Sequence, residues 1–203
     1  MTGAIFVLIV AYIMGSFPIG FWVGQAFFKK DLTEVGSGNI GATNSYRVLG
    51  PAAGLIVFFG DFLKGAAPVM IMKSVRVSSA LLPWLIVAAG ILAMLGHTFS
   101  VFLKFKGGKG ASTAMGAITA LSFKISILLF VIWFVVLALT RYVSVSSMVA
   151  AVSFPALTLF FYSQNAAVIT FSLLVMILVL YKHRANIGRL MQGTEPKVGK
   201  VES

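Results

Sequence analysis

The chain lacks cysteine altogether, and it has few acidic residues and few histidines. Without cysteine it can form no disulfide, no thiolate metal site and no cysteine nucleophile. Its five acids and two histidines provide no carboxylate pair for general acid–base catalysis and no cluster spaced for a metal ion. We therefore expect no metal and no cofactor, and a chemistry limited to phosphate binding, hydroxyl groups and imidazole.

Charged residues of either sign are also scarce. They make up 10% of the 203 residues, whereas 59% are hydrophobic, and this balance predicts a polytopic membrane protein. The sixteen lysines and arginines against five acids fit basic cytoplasmic loops. Because no basic patch alternates with exposed aromatic residues, we expect no nucleic-acid partner. The N-terminus has no basic n-region and no cleavage site, so the first apolar segment is predicted to be a retained span.

Seven apolar segments follow one another, at about residues 4–28, 52–72, 81–103, 110–122, 125–140, 143–162 and 166–181. Proline, glycine, charged or polar residues separate most of them. The fourth is the weakest candidate, because a dozen residues at ~1.5 Å each reach roughly 18–20 Å, against a membrane core of ~30 Å. It can be a full span only if loop residues or protein neighbours extend it.

The distribution of basic residues favours seven spans. With the N-terminus outside, three of the sixteen bases lie outside (Lys73, Arg76 and Lys124), Lys64 lies within a span, and the remaining twelve lie inside. If the fourth segment only dips into the membrane, seven lie inside and eight outside. The positive-inside rule selects the first arrangement. The sequence therefore predicts an all-α polytopic membrane protein with seven transmembrane helices, a cytoplasmic C-terminus and one domain over residues 1–203.

This topology places three polar segments in the cytoplasm: loops 29–50 and 104–109, and the tail from residue 182. Residues 36–47 read GSGNIGATNSYR. Glycines let a backbone approach a ligand closely, short polar side chains cap helices or bind anions, and Arg47 adds a charged fork. Such a turn suits an oxyanion, although a flexible interfacial loop is the favoured interpretation of this stretch when it is taken alone.

The second polar segment has a lysine among glycines. Gly107, Gly108 and Gly110 surround Lys109 just before the short fourth segment. A glycine turn leading into a helix presents free N–H groups and the positive end of the helix dipole to an anion. It is not a Walker P-loop, because glycine follows the lysine where serine or threonine should stand. A basic juxtamembrane turn is the alternative. Two such loops on one face are less common, and with both present the phosphate site and the bland alternative are equally supported.

The tail contributes His183 and Asn186, which are three residues apart and share a face if the seventh span continues as a helix. A snorkelling basic helix end is the alternative. Hydroxyl groups at residues 144–147 are expected to bond back to carbonyls of their own helix.

Two charged residues within the second span, Asp61 and Lys64, are predicted to form a structural ion pair, since charges inside a membrane usually pair in the bundle interior. No aspartate follows His97 at the fifth position, so the His-four-Asp signature of common glycerolipid acyltransferases is missing. We also find no carboxylate placed in the sequence to orient a histidine.

Residues 36–50, 97–113 and 183–195 resemble, in order and spacing, the three motifs of the bacterial acyl-phosphate:glycerol-3-phosphate acyltransferase family, PlsY. The resemblance extends over the whole chain, including the runs DFLKG at 61–65 and RYVS at 141–144. One departure is Ser100, where the family usually has proline. The resemblance implies an enzyme of the bacterial inner membrane whose active site faces the cytoplasm. It would move a fatty acyl group from acyl phosphate to the 1-hydroxyl of glycerol 3-phosphate, giving lysophosphatidic acid and inorganic phosphate in the first acylation step of phospholipid biosynthesis.

The same resemblance implies roles for individual residues. The implied catalytic residues are Ser37, Arg47, Lys109, His183 and Asn186. The implied substrate contacts are Gly38, Asn39, Gly41, Ala42, Thr43, Asn44, His97, Gly107, Gly108, Gly110 and Ser147. Glu195 is implied to be a structural anchor, beside the predicted pair of Asp61 and Lys64.

Acyl phosphate is an activated donor, so positioning and charge neutralisation can supply much of the rate. We expect Arg47 and Lys109 to hold two phosphates close together, with the acyl chain between helices and open to membrane lipid. Either a substrate phosphate or His183 takes the hydroxyl proton, and the lack of an orienting carboxylate favours the phosphate.

Two other functional classes fit the composition. An organic-phosphate transporter or channel would also use helix ends at anion sites, but the polar loops crowd onto one face. A lipid-binding scaffold would show neither turnover nor transport. A soluble enzyme that produces acyl phosphate is a possible docking partner on the basic face.

Overall fold

The computed structural model describes residues 1–198, which contain ten α-helices, one 3₁₀ turn and no β-strand. The chain divides into two compact units, one covering Met1–Leu121 and the other beginning at Ser122. Lys200, one of the twelve bases predicted to lie inside, falls outside the described residues.

The helices of the first unit are α1 (Thr2–Ser16), α2 (Ile19–Phe28), α3 (Ala42–Leu49), α4 (Pro51–Lys73), α5 (Leu82–Thr98) and α6 (Ala111–Leu121), with the 3₁₀ turn at Val101–Leu103. Those of the second unit are α7 (Phe123–Thr140), α8 (Val143–Tyr162), α9 (Ala166–Lys182) and α10 (Arg184–Met191). Each of the seven predicted apolar segments therefore contains a helix.

Five helical stretches among the described residues are long and apolar enough to cross a membrane, or six if α9 and α10 form one bent span. Large apolar side chains such as Phe27, Leu139 and Phe160 are 77%, 79% and 80% exposed, as expected where lipid covers the surface. The all-helical membrane class is confirmed. The short helix α6, with 11 residues, is the segment on which the prediction of seven spans depends.

The first predicted segment is broken into α1 and α2 at Pro18. Proline lacks a backbone N–H and pushes the preceding residue out of the helical region, and Phe17 accordingly has φ −61° and ψ 116°. The break leaves carbonyls without helical partners. The Ser100 hydroxyl donates to the Ser16 carbonyl, and Lys64 Nζ donates to the Phe17 carbonyl at 2.8 Å. Side chains from later parts of the first unit therefore supply the hydrogen-bond donors for carbonyls at the break.

Helix α6 is held tightly against α4 by glycines. A Cβ on Gly65 would lie 2.0 Å from the Thr113 carbonyl oxygen, and one on Gly116 would lie 1.9 Å from the Phe62 carbonyl oxygen. Only glycine allows two helices to approach this closely, as is common in membrane proteins. The close packing fixes the start of α6, which directly follows the glycine turn at residues 107–110.

Candidate active site

The loop before α3 is organised by one buried amide side chain. Asn44, on the first turn of α3, accepts a hydrogen bond from the Ser37 backbone N–H at 2.8 Å. Its Nδ2 donates to the carbonyls of Leu32 and Val35 at 3.3 and 3.0 Å. All these contacts are to the backbone of the same loop, so Asn44 fixes the conformation in which Ser37 is presented.

Ser37 and Arg47 are both exposed, at opposite ends of this loop-and-helix segment. Between them lie the other predicted contacts of the first loop: Gly38, Asn39, Gly41, Ala42 and Thr43. The Asn39 side chain accepts from the Gly41 N–H at 2.9 Å, a local turn that leads into α3. The helix itself was not predicted, because eight residues are too few to show an apolar period.

The glycine turn of the second loop packs directly on His97. A Cβ on Gly107 would lie 2.0 Å from the His97 carbonyl oxygen, and one on Gly108 would lie 2.1 Å from the ring atom Nε2. The Gly107 N–H donates to the Thr98 carbonyl at 3.2 Å and the Gly108 N–H to the His97 carbonyl at 3.0 Å. Two amides that we expected to be free for an anion are therefore used inside the protein.

The amides that remain are those at the start of α6. The first helical bond runs from the Ala114 N–H to the Gly110 carbonyl at 2.7 Å, and amides before it have no acceptor within the helix. Gly110 has φ +79°, a conformation that other residues rarely adopt. Lys109 is half-buried beside it. A lysine therefore immediately precedes a helix N-terminus, an arrangement that suits a phosphate.

A cluster of buried ionisable groups lies behind this turn. Lys64 Nζ is 2.8 Å from the Asp61 carboxylate, and His97 Nδ1 is 3.4 Å from the same oxygen. The three side chains are 6%, 2% and 3% exposed, respectively. We expected no carboxylate near a histidine, but α4 places the Asp61 carboxylate at ion-pair distance from His97, which lies 36 residues later in the chain.

In the second unit, His183 lies at a hinge. The axis bends by 53° between α9, which ends at Lys182, and α10, which begins at Arg184, so the seventh span does not continue as one unbroken helix as we expected. The buried ring is 2.8 Å from the Val179 carbonyl through Nδ1. A carbonyl only accepts, so Nδ1 carries the proton, and Nε2 is the basic nitrogen of the neutral ring.

Asn186 is held by Glu195 on the tail. Its Nδ2 donates to Glu195 Oε1 at 2.6 Å, and Arg189 Nε donates to Oε2 at 2.7 Å. Burial raises the pKa of the Glu195 carboxyl, but the favourable interactions with nearby Ser144, Asn186 and Arg189 outweigh it and lower that pKa below its usual value. The Asn186 Oδ1 is buried without a hydrogen-bond partner in residues 1–198.

The predicted hydroxyls at the start of α8 serve different purposes. Ser146 donates to the Tyr142 carbonyl at 2.9 Å, as expected for bonding within a helix, whereas the buried Ser144 hydroxyl has no hydrogen-bond partner among the described residues. The Ser147 hydroxyl accepts from Trp133 Nε1 at 3.3 Å, a contact with α7 that the sequence did not reveal. Within the described part of the chain, no three histidines or acids group as metal ligands.

The family model described as "Glycerol-3-phosphate acyltransferase" matches residues 5–193. The chain belongs to this family. Among its relatives, glycerol-3-phosphate acyltransferase 2 of Bacillus anthracis is 43% identical over 197 residues, covering 96% of this chain and 98% of that protein. The glycerol-3-phosphate acyltransferase of Staphylococcus carnosus (strain TM300) is 42% identical over 200 residues, with coverages of 96% and 97%.

Two solved structures of a family member are also similar to the chain. Both are crystal structures of PlsY (YgiH), described as an integral membrane glycerol 3-phosphate acyltransferase. The glycerol 3-phosphate form matches with a TM-score of 0.88 at 40% identity, covering 97% of this chain and 96% of that one. The lysophosphatidic acid form matches with a TM-score of 0.85 at 39% identity, covering 98% and 97%. The resemblance based on three motifs is thus confirmed, and the assignment as an integral-membrane acyltransferase with it.

Proposed function

We propose that this chain transfers a fatty acyl group from acyl phosphate to the 1-hydroxyl of glycerol 3-phosphate. The hydroxyl oxygen attacks the acyl carbon and forms an ester bond, and the bond from that carbon to the bridging phosphate oxygen breaks. The hydroxyl proton passes to a phosphate oxygen. The products are lysophosphatidic acid and inorganic phosphate. The observation that best supports this reaction is Lys109 at the N-terminus of α6, in a family named for glycerol 3-phosphate acylation.

We assign the start of α6 to a substrate phosphate. Lys109 contributes a charge, and the amides of the first helical turn contribute oriented donors. The Thr113 hydroxyl is fully buried in this turn and has no hydrogen-bond partner in the described part of the chain. Fixed dipoles and charges of this kind stabilise the charge that develops on a departing phosphate. Gly107, Gly108 and Gly110 shape the turn, and His97 supports it from behind.

Arg47 and Ser37 are assigned to a second phosphate. The Arg47 guanidinium is a planar fork that can bind two phosphate oxygens at once. The loop residues between Ser37 and Asn44 hold that segment in one conformation through the hydrogen bonds already described. With Arg47 and Lys109 both cationic, two phosphates can be held close together despite their mutual repulsion.

The second unit is assigned to the glycerol part of the substrate, through Ser147, His183 and Asn186. The buried Asn186 Oδ1 is an acceptor that lacks a donor among residues 1–198, and leaving it so is costly. A hydroxyl of glycerol 3-phosphate is a donor of the right kind. Because His183 Nε2 is the basic nitrogen of the neutral ring, it can accept a hydrogen bond from a hydroxyl as well.

We favour a substrate phosphate over His183 as the base. A phosphate oxygen of the departing group lies next to the attacking hydroxyl in any direct transfer, whereas the contact that defines the tautomer of His183 is with a neutral carbonyl. Such a carbonyl fixes the ring's orientation without supplying the full negative charge that stabilises an imidazolium. No metal and no cofactor takes part in this proposal.

The proposed setting is the bacterial inner membrane, with the N-terminus outside, seven spans and the site residues facing the cytoplasm. In this arrangement α6 is the short fourth span. The family match runs through both units, so we treat residues 1–203 as a single acyltransferase domain. The acyl chain lies between helices in contact with membrane lipid, and a soluble enzyme that makes acyl phosphate is the proposed supplier of the donor.

The decisive experiment is turnover by the purified chain in detergent with a long-chain acyl phosphate. We expect phosphate release that requires glycerol 3-phosphate, and lysophosphatidic acid as the acylated product. Lys109→Ala should lower kcat/KM about 10²- to 10³-fold, the range for losing an oriented group at a developing charge. The matched control is Lys106→Ala, since Lys106 is exposed in the same loop and should stay within about twofold of wild type. Transport of glycerol 3-phosphate into vesicles without turnover would establish the alternative function.

The orientation can be tested with single cysteines, because the natural chain has none. Lys106→Cys should resist an impermeant thiol reagent added outside intact cells, whereas Arg76→Cys should react with it. Labelling of residue 106 from outside would contradict the seven-span arrangement.

A further inference from the structure

In the buried cluster of Asp61, Lys64 and His97, only the histidine has a role in the transfer as described so far. Two formal charges and an imidazole are removed from water in the interior of the first unit. Desolvating such groups is expensive, and well-packed apolar residues of similar size often serve stability as well or better. A cluster of this kind therefore calls for a reason beyond holding helices together.

The geometry of His97 supplies that reason. Its Nδ1 faces the Asp61 carboxylate at 3.4 Å, on one side of the ring. On the other side, Nε2 would be 2.1 Å from a Cβ on Gly108, so the ring edge lies directly against the glycine turn. The backbone of His97 contacts the same turn, through its carbonyl and the Gly108 N–H at 3.0 Å. The imidazole thus lies between a carboxylate at ion-pair distance and the turn that precedes Lys109.

The carboxylate is itself fixed from the opposite direction. Lys64 Nζ bonds to Asp61 at 2.8 Å and also to the Phe17 carbonyl at 2.8 Å. A continuous row of polar contacts therefore runs from the break between α1 and α2, through one turn of α4, to His97 and the glycine turn. Because Asp61 is both ion-paired and enclosed, it has little freedom to move away from the ring.

We propose that Asp61 is a positioning residue for phosphate binding, which acts by holding His97 against Gly107 and Gly108. This inference rests on the proposed function, in which the start of α6 binds a substrate phosphate. Asp61 does not touch the substrate. It sets the position of the turn, and the turn sets where Lys109 and the first amides of α6 point. A small displacement of such groups is expected to weaken phosphate binding even when the fold is retained.

The test uses inorganic phosphate, a product of the reaction, as the binding probe. Asp61→Asn keeps the size of the side chain and one oxygen acceptor but removes the charge. We expect the inhibition constant for phosphate, and KM for the substrate held at this turn, to rise about ten- to a hundredfold. Because this change leaves the Lys64 ammonium without its counter-charge, the neutral double variant Asp61→Asn with Lys64→Met is prepared in parallel, and the same rise is expected.

A double-mutant cycle shows whether Asp61 acts through the histidine. His97→Gln alone should raise the phosphate inhibition constant by a comparable factor. Adding Asp61→Asn to His97→Gln should then change that constant by no more than about twofold, because the shared effect is already lost. Fully additive effects, or an unchanged constant in His97→Gln, would overturn the inference.

The control for simple loss of a buried polar contact is Thr158→Val in the second unit. Thr158 is fully buried and shares a hydrogen bond with Ser172 at 2.8 Å. This variant should unfold at a lower temperature yet keep the wild-type inhibition constant for phosphate. If Asp61→Asn behaves in the same way while Lys109→Ala still weakens phosphate inhibition, only the positioning role fails. If wild type shows no turnover that depends on glycerol 3-phosphate, the proposed function fails and this inference with it.

Discussion

Asp61 and Glu195 are two buried carboxylates that hold site residues in quite different ways. Asp61 lies within helix α4 and is paired with Lys64 and His97, both of which are buried. Glu195 lies on the tail, nine residues from Asn186, and is paired with a half-buried Arg189. The first arrangement includes a histidine from a separate helix, α5, and its side chains are almost completely buried, whereas the second is local and includes a partly exposed arginine. We therefore expect that losing Asp61 lowers the stability of the fold more than losing Glu195 does. We also expect the contribution of Glu195 to stability to depend on pH.

The largest effect is expected for Asp61→Ala. Removing one partner of a buried ion pair leaves the Lys64 charge uncompensated, which typically costs about 3–5 kcal/mol. The midpoint of unfolding in detergent, followed by far-UV circular dichroism with increasing denaturant, should fall accordingly. Glu195→Ala measured alongside should cost clearly less. Equal losses for the two variants would remove the distinction between the two carboxylates.

The next effect concerns the histidine of the second unit, which a carbonyl rather than a carboxylate anchors through Nδ1. His183→Gln keeps a hydrogen-bonding tip but cannot take up a proton near neutral pH. If a substrate phosphate is the base, kcat/KM should fall about ten- to a hundredfold, the scale of lost positioning. The pH–rate profile of the variant should keep the shape of the wild-type profile.

The opposite outcome for this variant is equally specific. Loss of a general base costs roughly 10²–10⁴-fold and removes a kinetic pKa near neutrality. A flattened profile, with a loss as large as that of Arg47→Lys, would assign the proton transfer to His183. Arg47→Lys is the reference because it keeps the charge and loses the planar fork.

Glu195 should give a smaller effect that depends on pH. Its pKa is lower in the folded state than its usual value, so the unfolded chain binds the proton more readily. The stabilisation is therefore present above the usual glutamate pKa and is lost as the pH falls through the lower, folded value. At neutral pH, Glu195→Gln should cost about 1.5–2 kcal/mol, near the lower end for hydrogen bonds to charged groups because Arg189 is partly solvated.

The measurement for Glu195 compares unfolding midpoints of wild type and Glu195→Gln at neutral and at acidic pH. The gap between them should close as the carboxylate becomes protonated. A constant gap from neutral pH into the acidic range would show that the charge of Glu195 contributes nothing to holding Asn186 and Arg189.

The smallest effect is expected at Ser100, whose hydroxyl donates to the Ser16 carbonyl at the break between α1 and α2. Ser100→Ala removes the hydrogen bond to the Ser16 carbonyl and should cost about 1 kcal/mol. Ser100 has φ −66°, which proline can adopt, so Ser100→Pro regains about 0.4–1 kcal/mol by restricting the unfolded chain. The unfolding midpoint of Ser100→Pro should therefore lie between those of wild type and Ser100→Ala. A proline variant less stable than the alanine variant would contradict this account.

The apolar segments were readable from the sequence because a membrane-spanning helix needs an uninterrupted apolar run, and α8 has the predicted bounds, Val143–Tyr162. The polar loops were readable as well, since glycines, short polar side chains and single cations stand out between such runs. Helix α3 was missed because Asn44 and Ser45, its buried residues, are polar. The buried Asn44 side chain forms hydrogen bonds with the backbone of the loop rather than packing in an apolar core.

Contacts between distant residues could not be predicted. The Asp61 carboxylate reaches His97 only because α4 and α5 pack side by side, which spacing along the chain does not encode. The bend at His183 was missed for a related reason, since nothing in the run of residues 182–190 resembles the proline that marks the break at Pro18. The hydrogen bonds between Arg141 and Val198 likewise join a turn and the tail, and no pattern in the two sequences predicts that they meet.

The break between α1 and α2 also constrains the order in which the protein can be assembled. The carbonyls of Ser16 and Phe17 enter the membrane with the first helices, before Lys64 and Ser100 have been synthesised. An unsatisfied carbonyl in hydrocarbon costs several kcal/mol. Until Lys64 and Ser100 are present, these carbonyls must therefore accept hydrogen bonds from water, or the chain must adopt a different local conformation. The N-terminal helices can therefore reach their final form only after α4 and the end of α5 have arrived. We therefore expect maturation of the first unit to follow insertion rather than to accompany it.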